Sequence, residues 1–352
     1  MTDTVWWGTF PEAGIGTEAG LGEALWRSSE AGLDRAVLLP SPAFVVAHPM
    51  RPLLYVVSEL PTSQIAVVEV SDPAAPAVIA NVDTGSPGAC HLLLARDVSA
   101  LYVAHYTSGD LAVIALDEDG VPVQASPTQV FPHAGSGPRA DRQEGPHAHF
   151  SGYAPGGEHL LVCDLGTDEL RRYRVQPDGL LEADGIAATL PGGSGPRHFA
   201  VRADLIYVAC ELDSHLRVLR WDGPSATAEL IEELPSTTAP NRTSDSGPAD
   251  SHILIHEDVV LLGVRGPDVI SLFDLSPEGM PRYRTSLDVG HWPRHFAVTD
   301  QHLHVAVERG HEARTYALAD VLALPPEPEV GFAASLAHAS ALLPSAACAC
   351  PA

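Results

Sequence analysis

GSGPRHFAVRADLIYVACELDSHLRVLRW, residues 193–221, returns in altered form as GHWPRHFAVTDQHLHVAVERG at residues 290–310. Each copy opens on Pro-Arg-His-Phe-Ala-Val, turns, runs through a second apolar strand, and closes beside a glutamate, Glu211 or Glu308. In the first copy a third run, SHLRVLRW, carries apolar residues at period two, the spacing of a half-buried β-strand. Two such units about a hundred residues apart point to a repeat architecture, and the rest of the chain contains more of them.

Aligned on the residue at the centre of the second strand, the repeats are LLYVVSEL (Tyr55), ALYVAHYT (Tyr102), HLLVCDLG (Leu161), LIYVACEL (Tyr207), VLLGVRG (Leu261) and HLHVAVERG (His304), at separations of 47, 59, 46, 54 and 43. A period near 50 with variable gaps is that of propeller blades joined by loops of unequal length. Third strands read as QIAVVEV, DLAVIAL and VISLFDL, with Pro, Gly, Asp and Ser filling the gaps. A helical period is seen only over 21–35 and in the alanine-rich stretch 330–343. A seventh unit can be assembled from the two ends. TVWWGTF reads as a second strand, and the alternating Ala-Cys-Ala-Cys of residues 347–350 supplies a first strand. The expected fold is all-β: one seven-bladed β-propeller domain over residues 1–352, its ring closed by N- and C-terminal strands in one blade, which removes the exposed sheet edges.

The 352 residues carry a formal net charge of −25, and all 20 basic residues are arginines. With no lysine, Schiff-base chemistry and a lysine phosphate loop are excluded. The acidic balance argues against nucleic acid and anionic membrane as partners. Five scattered cysteines, Cys90, Cys163, Cys210, Cys348 and Cys350, do not form a disulfide framework. No basic segment followed by an apolar one opens the chain, and no run of about 18 apolar residues crosses a membrane. The cytoplasm is the expected location and a monomer the expected state.

Within a blade, the first two strands form an antiparallel hairpin, so the start of the first lies beside the end of the second. The innermost strand of a propeller lines the channel. One rim of the channel therefore collects the first-strand starts (His48, Cys90-His91, His147-Ala148-His149, Arg197-His198, Ser251-His252, Arg294-His295) and the second-strand ends (Glu59, Tyr106, Leu165, Glu211, Arg265, Glu308). Histidines at such places also hold neighbouring blades together, and that is the expected role of His48, His91, His252 and His295. A neutral histidine can act as general base near pH 7, and arginine offers fixed donors to an oxyanion or a substrate anion. No Gly-x-Ser-x-Gly elbow is present, which excludes the usual serine hydrolase arrangement.

The motifs HPMRPLLYVVSEL, SGPRHFAVRADLIYVACELDSHLRVLRW, ADSHILIHEDVVLLGVRG and WPRHFAVTDQHLHVAVE resemble the seven-bladed β-propeller lactonase family, which includes propeller-type 6-phosphogluconolactonases and, more distantly, carboxy-muconate lactonising enzymes. The resemblance covers nearly the whole chain; residues 130–145 and 223–248 depart from it. It implies hydrolysis of a sugar lactone, 6-phosphogluconolactone among the choices, without metal or cofactor. The other readings are a muconate-type lactonising isomerase and a non-catalytic propeller that binds a ligand or protein. The muconate enzymes use a histidine, two arginines and a glutamate, which the resemblance carries onto His147, Arg197, Glu211 and Arg265, with His149 as the alternative to His147. Glu59, His91, His149, His198, His252, Arg294, His295 and Glu308 are the expected substrate-binding residues. Regucalcin-type propellers hold a cation with Glu, Asn and Asp, whereas this rim carries arginines, so no metal site is expected.

Overall fold

The computed structural model describes residues 4–11, 23–29, 32–242 and 247–351. Its seven sheets follow the repeats. In each of the six complete units the first three strands run outward from an inner strand through antiparallel hairpins and a fourth strand covers the edge, as in Pro196–Arg202, Leu205–Cys210, His215–Asp222 and Thr227–Pro235. The second strands are the most buried, because both faces pack against neighbouring blades: Leu53–Ser58, Leu205–Cys210 and Val259–Arg265 are buried at every position. Their composition, rich in Val, Leu and Ile, suits a strand covered on both faces.

The residues on which the repeats align also join the blades. The hydroxyls of Tyr55, Tyr102 and Tyr207 donate to the carbonyls of Gly120, Gly179 and Gly279, each in the turn after the third strand of the next blade, at 2.7, 2.9 and 2.5 Å. A buried tyrosine needs a partner for its hydroxyl, and a tight-turn carbonyl supplies it.

The closing blade is made from both ends of the chain, as expected. Ala346–Pro351 forms its inner strand and pairs antiparallel with Val5–Thr9, with Trp6 opposite Cys350 and Gly8 opposite Cys348. Ala24–Ser29 and Gly32–Leu38 complete the sheet. Trp6 and Trp7 are fully buried and point to opposite sides of the strand. Trp6 packs with Val45, Leu54 and Val56 of the first blade, and Trp7 with Ala306 and Ala313 of the sixth.

Three expectations are corrected. Within the described part of 21–35 the chain is a hairpin, because Ala24–Leu25 pack into the core and Arg27 pairs across the strands with Asp34 at 3.1 Å. The rest of that stretch, 21–22 and 30–31, lies outside the described residues. In 330–343 the alanines form edge strands: Ala333–Ala334 adds to the fifth blade and Ala339–Leu342 is the outer strand of the sixth. The sixth blade passes from its third strand straight into the short helix Leu318–Leu322, so its open edge takes up this later segment. Finally, His48 follows the end of the inner strand Pro42–Ala47, at the opposite end from the rim, where its Nδ1 accepts from the backbone of Met50 and Arg51.

Candidate active site

Every inner strand carries a register shift near its start. It falls between Pro42 and Phe44, Ala89 and His91, Ala148 and Phe150, Pro196 and His198, Asp250 and Ile253, and Pro293 and His295, and in the closing blade opposite Gly8–Thr9. A β-bulge leaves one residue unpaired and re-aims its side chain. The bulged residues include His149, Arg197 and Arg294, and all three line one cavity at the rim. Gly195 shows why Gly-Pro precedes the arginine. It sits at φ +61°, a side chain there would meet Leu212, and its amide donates to Asp168 Oδ1 at 2.8 Å.

The cavity has a volume of about 620 Å³ and is lined by six arginines (Arg139, Arg142, Arg197, Arg265, Arg294, Arg309) and four acids (Glu59, Asp141, Glu211, Glu308), with His149, Tyr106 and Trp292 among its other walls. At its centre Glu211 is clamped by three arginines. Arg197 Nε lies 3.0 Å and Arg265 Nη2 2.8 Å from Oε2, and Arg142 Nη2 lies 2.7 Å from Oε1. Burial acts to raise the Glu211 carboxyl, but Arg265, Arg197 and Arg142 outweigh it and hold the group well below the usual carboxylate range. His149 completes the group, with its Nε2 2.8 Å from Arg197 Nη1. Guanidinium has no acceptor, so this imidazole nitrogen is the acceptor.

The family described as "Lactonase, 7-bladed beta-propeller" matches residues 16–321. The chain belongs to the seven-bladed β-propeller lactonase family. Among curated relatives, a 6-phosphogluconolactonase of Bacillus subtilis is 32% identical over 215 residues, 60% of each chain, and one of Formosa agariphila is 29% identical over 202 residues, 54% of this chain and 56% of the other. The matched region thus spans about 60% of the length of the first of these relatives. Over the whole fold, a protein from Lactobacillus plantarum superposes with a TM-score of 0.82 at 20% identity, covering 99% of both chains. A periplasmic gluconolactonase of Pseudomonas aeruginosa superposes at 0.78 with 22% identity, covering 98% of this chain and 97% of that one. Among the described residues no helix is long and apolar enough to cross a membrane.

In this lactonase-family propeller Arg197, Glu211 and Arg265 come together as the motifs suggest; Arg265 holds the same register as Glu211, in a ladder one pair longer that pairs it with Ala249. His147 is not brought into the cavity. It lies two residues before the bulge, stacks on Tyr106 with ring centroids 4.4 Å apart, and bonds the Tyr106 carbonyl through Nδ1 at 2.7 Å. His149 holds the bulge position that Arg197 holds in the next blade, and that register is the physical reason it faces the site. Glu59, Arg294 and Glu308 line the cavity together: Arg294 lies 3.2 Å from Glu308 and 3.8 Å from Glu59.

His91, His198, His252 and His295 do not line the cavity. They sit beside and beyond the bulges and form a buried aromatic layer in the channel. His198 and His252 meet at 2.9 Å through their Nδ1 atoms, the rings of His252 and His295 are 4.0 Å apart, and Phe44 and Phe150 flank His91 at 4.5 and 4.3 Å. Burial first, then Arg197 together with neighbouring histidines for His91, His198 and His252 and with Arg294 for His295, hold all four rings below their ordinary protonation range. Arg142 was not found from the sequence, because it lies in a stretch, 130–145, with neither repeat nor motif. Gln143 anchors that loop, donating to Leu165 O at 2.9 Å and Asp168 Oδ1 at 2.8 Å. Trp292 and Arg309, whose guanidinium lies 3.5 Å from the indole, were also missed, although both flank the second Pro-Arg-His-Phe copy.

Proposed function

We propose that this propeller hydrolyses an anionic sugar lactone, 6-phosphogluconolactone first among the class, without a metal ion. The observation that carries this reading is the clamp on Glu211. One carboxylate fixes three guanidinium groups at the wall of an open cavity, in a chain that is otherwise strongly acidic. Attack of water on a lactone carbonyl puts negative charge on its oxygen, and donors fixed in advance stabilise that charge without reorganising. Arg197 and Arg265 supply such donors. Glu211 holds them in place, and His149 orients Arg197 from behind. An arginine wall in an acidic body attracts an anion locally. Arg309 at the same cavity offers a further cationic contact for a phosphate, and it has no carboxylate partner among the described residues. Guanidinium groups where the oxyanion forms do the work a cation would otherwise do. All five cysteines are unpaired, which suits the reducing cytoplasm.

The test is turnover by purified protein of 6-phosphogluconolactone, unphosphorylated gluconolactone and a muconate-type lactone, with and without exhaustive chelation. The phosphorylated lactone is expected to open fastest and chelation to change nothing. No turnover of any lactone overturns the reading. Loss on chelation that a divalent cation restores overturns its metal-free part.

A further inference from the structure

Two buried glutamates line this cavity in opposite surroundings. Glu211 is bound by three arginines. Glu59, which follows the second strand of the first blade and anchors its own amide to Ser41 O at 3.0 Å, has a buried Oε2 with no hydrogen-bond partner. Its nearest cation, Arg294, stands 3.8 Å away and is held at 3.2 Å by Glu308. We propose that Glu59 is the proton-transfer residue of the site, taking a proton from the attacking water and returning it to the ring oxygen as the lactone opens. The inference rests on the lactonase reading above.

The alternatives are already engaged. The carboxylate of Glu211 is spent on Arg142, Arg197 and Arg265. His149 presents its accepting nitrogen to Arg197, and burial followed by that same arginine holds the ring well below its ordinary range. Glu308 pairs with Arg294, and His147 lies outside the cavity. Glu59 alone among these has a buried side-chain oxygen that no hydrogen bond reaches. The groups that face it are Arg294, Arg197, Glu308 and the thiol of Cys90. Burial pushes its carboxyl up to about 7, with Arg294 and Arg197 only partly opposing and Glu308 adding to the rise. A proton-transfer group works best when its pKa lies near the working pH, and two carboxyls driven apart by their surroundings are the usual sign of divided roles.

The step balances with water alone. Water oxygen bonds to the carbonyl carbon while one of its protons passes to the Glu59 carboxylate. The tetrahedral oxyanion rests against the arginines. On collapse the bond from carbonyl carbon to ring oxygen breaks, Glu59 gives its proton to that oxygen, and the products are a hydroxyl and a carboxylic acid that ionises.

The experiment measures the pH dependence of kcat and kcat/KM for the lactone the wild-type protein opens, corrected for uncatalysed opening. In the wild type, kcat/KM should rise through about pH 7, because the ionised form is needed and the ionisation lies there. Glu59→Gln should lower kcat by roughly 10²–10⁴, leave KM close to unchanged and abolish the rising limb. Glu59→Ala should regain part of its activity with added formate, a readout that a merely structural role would not give. Arg294→Gln should keep the limb but move it to higher pH, since a cation that favours the carboxylate is gone. A Glu59→Gln protein with wild-type kcat and limb, or an Arg294→Gln limb that does not move, overturns the assignment while leaving the lactonase reading in place. A wild-type protein that opens no lactone defeats both.

Discussion

Arg142 Nη2 lies 2.7 Å from Glu211 Oε1, joining residues 69 positions apart, and it is the only clamp arginine that comes from a loop rather than a blade strand. Its side chain is 37% exposed, against 3% for Arg197 and 7% for Arg265. The loop arginine therefore closes the clamp from the solvent side, while the two strand arginines form its fixed base.

That difference in burial sets an order of effects. Arg197→Ala removes the donor proposed for the oxyanion and should lower kcat by about 10²–10³. Arg142→Ala leaves both strand arginines on Glu211 and should cost about tenfold or less, with an unchanged melting temperature. Steady-state kinetics on the two variants decide the matter, and equal losses would mean that the loop arginine is itself an oxyanion donor.

The two histidines of GPHAHF should separate in the same assay. His149→Ala frees Arg197 Nη1 from its partner at 2.8 Å and should reduce kcat by at least tenfold, whereas His147→Ala removes the stacking on Tyr106 and the bond to its carbonyl and should leave kcat within about twofold. If His147→Ala proves the more damaging, the bulge register does not mark the functional positions.

The histidine layer predicts acid sensitivity of the fold. Burial lowers the folded-state range of these rings, to about 3 for His91 and His295, while in an unfolded chain they protonate near 6.5. A depressed base stabilises the fold fully above the unfolded value, and the contribution is lost as the pH falls from about 6.5 toward 3. Each ring contributes at most about 1.4 kcal/mol per pH unit in that window. Urea denaturation should therefore show much lower stability at pH 5 than at pH 7. Phe44 and Phe150 occupy the equivalent place in other blades, so His91→Phe should fold and show a smaller drop. An equal drop in the variant would place the acid sensitivity elsewhere.

Ring closure can be tested by truncation. Removing the residues after Leu343 takes away the inner strand Ala346–Pro351, uncovers Val5–Thr9, and opens two sheet edges. The truncated chain should melt well below the full protein and aggregate during size-exclusion chromatography. A truncated chain with the same melting temperature and elution volume would show that the closing strand contributes nothing to the ring.

The sequence by itself determined the architecture. Period-two strands recurring about every 50 residues can bury their apolar faces only against neighbouring copies, and the closing blade was legible because TVWWGTF and the alternating Ala-Cys tail are two halves of the same repeat. The clamp residues Arg197 and Glu211 were legible too, since a hairpin brings the start of one strand to the end of the next whatever else the chain does. The tertiary structure alone decided which side chain at each strand start faces the cavity. A single-residue bulge exchanges inward and outward positions, so His149 rather than His147 meets Arg197. It also decided the alanine-rich stretch, where small residues fit helix or strand equally and the unfilled edge of the sixth blade made the choice. Arg142 and the buried oxygen of Glu59 that no hydrogen bond reaches were beyond the sequence for one reason: each is defined by what surrounds it in space, across blades and loops far apart in the chain.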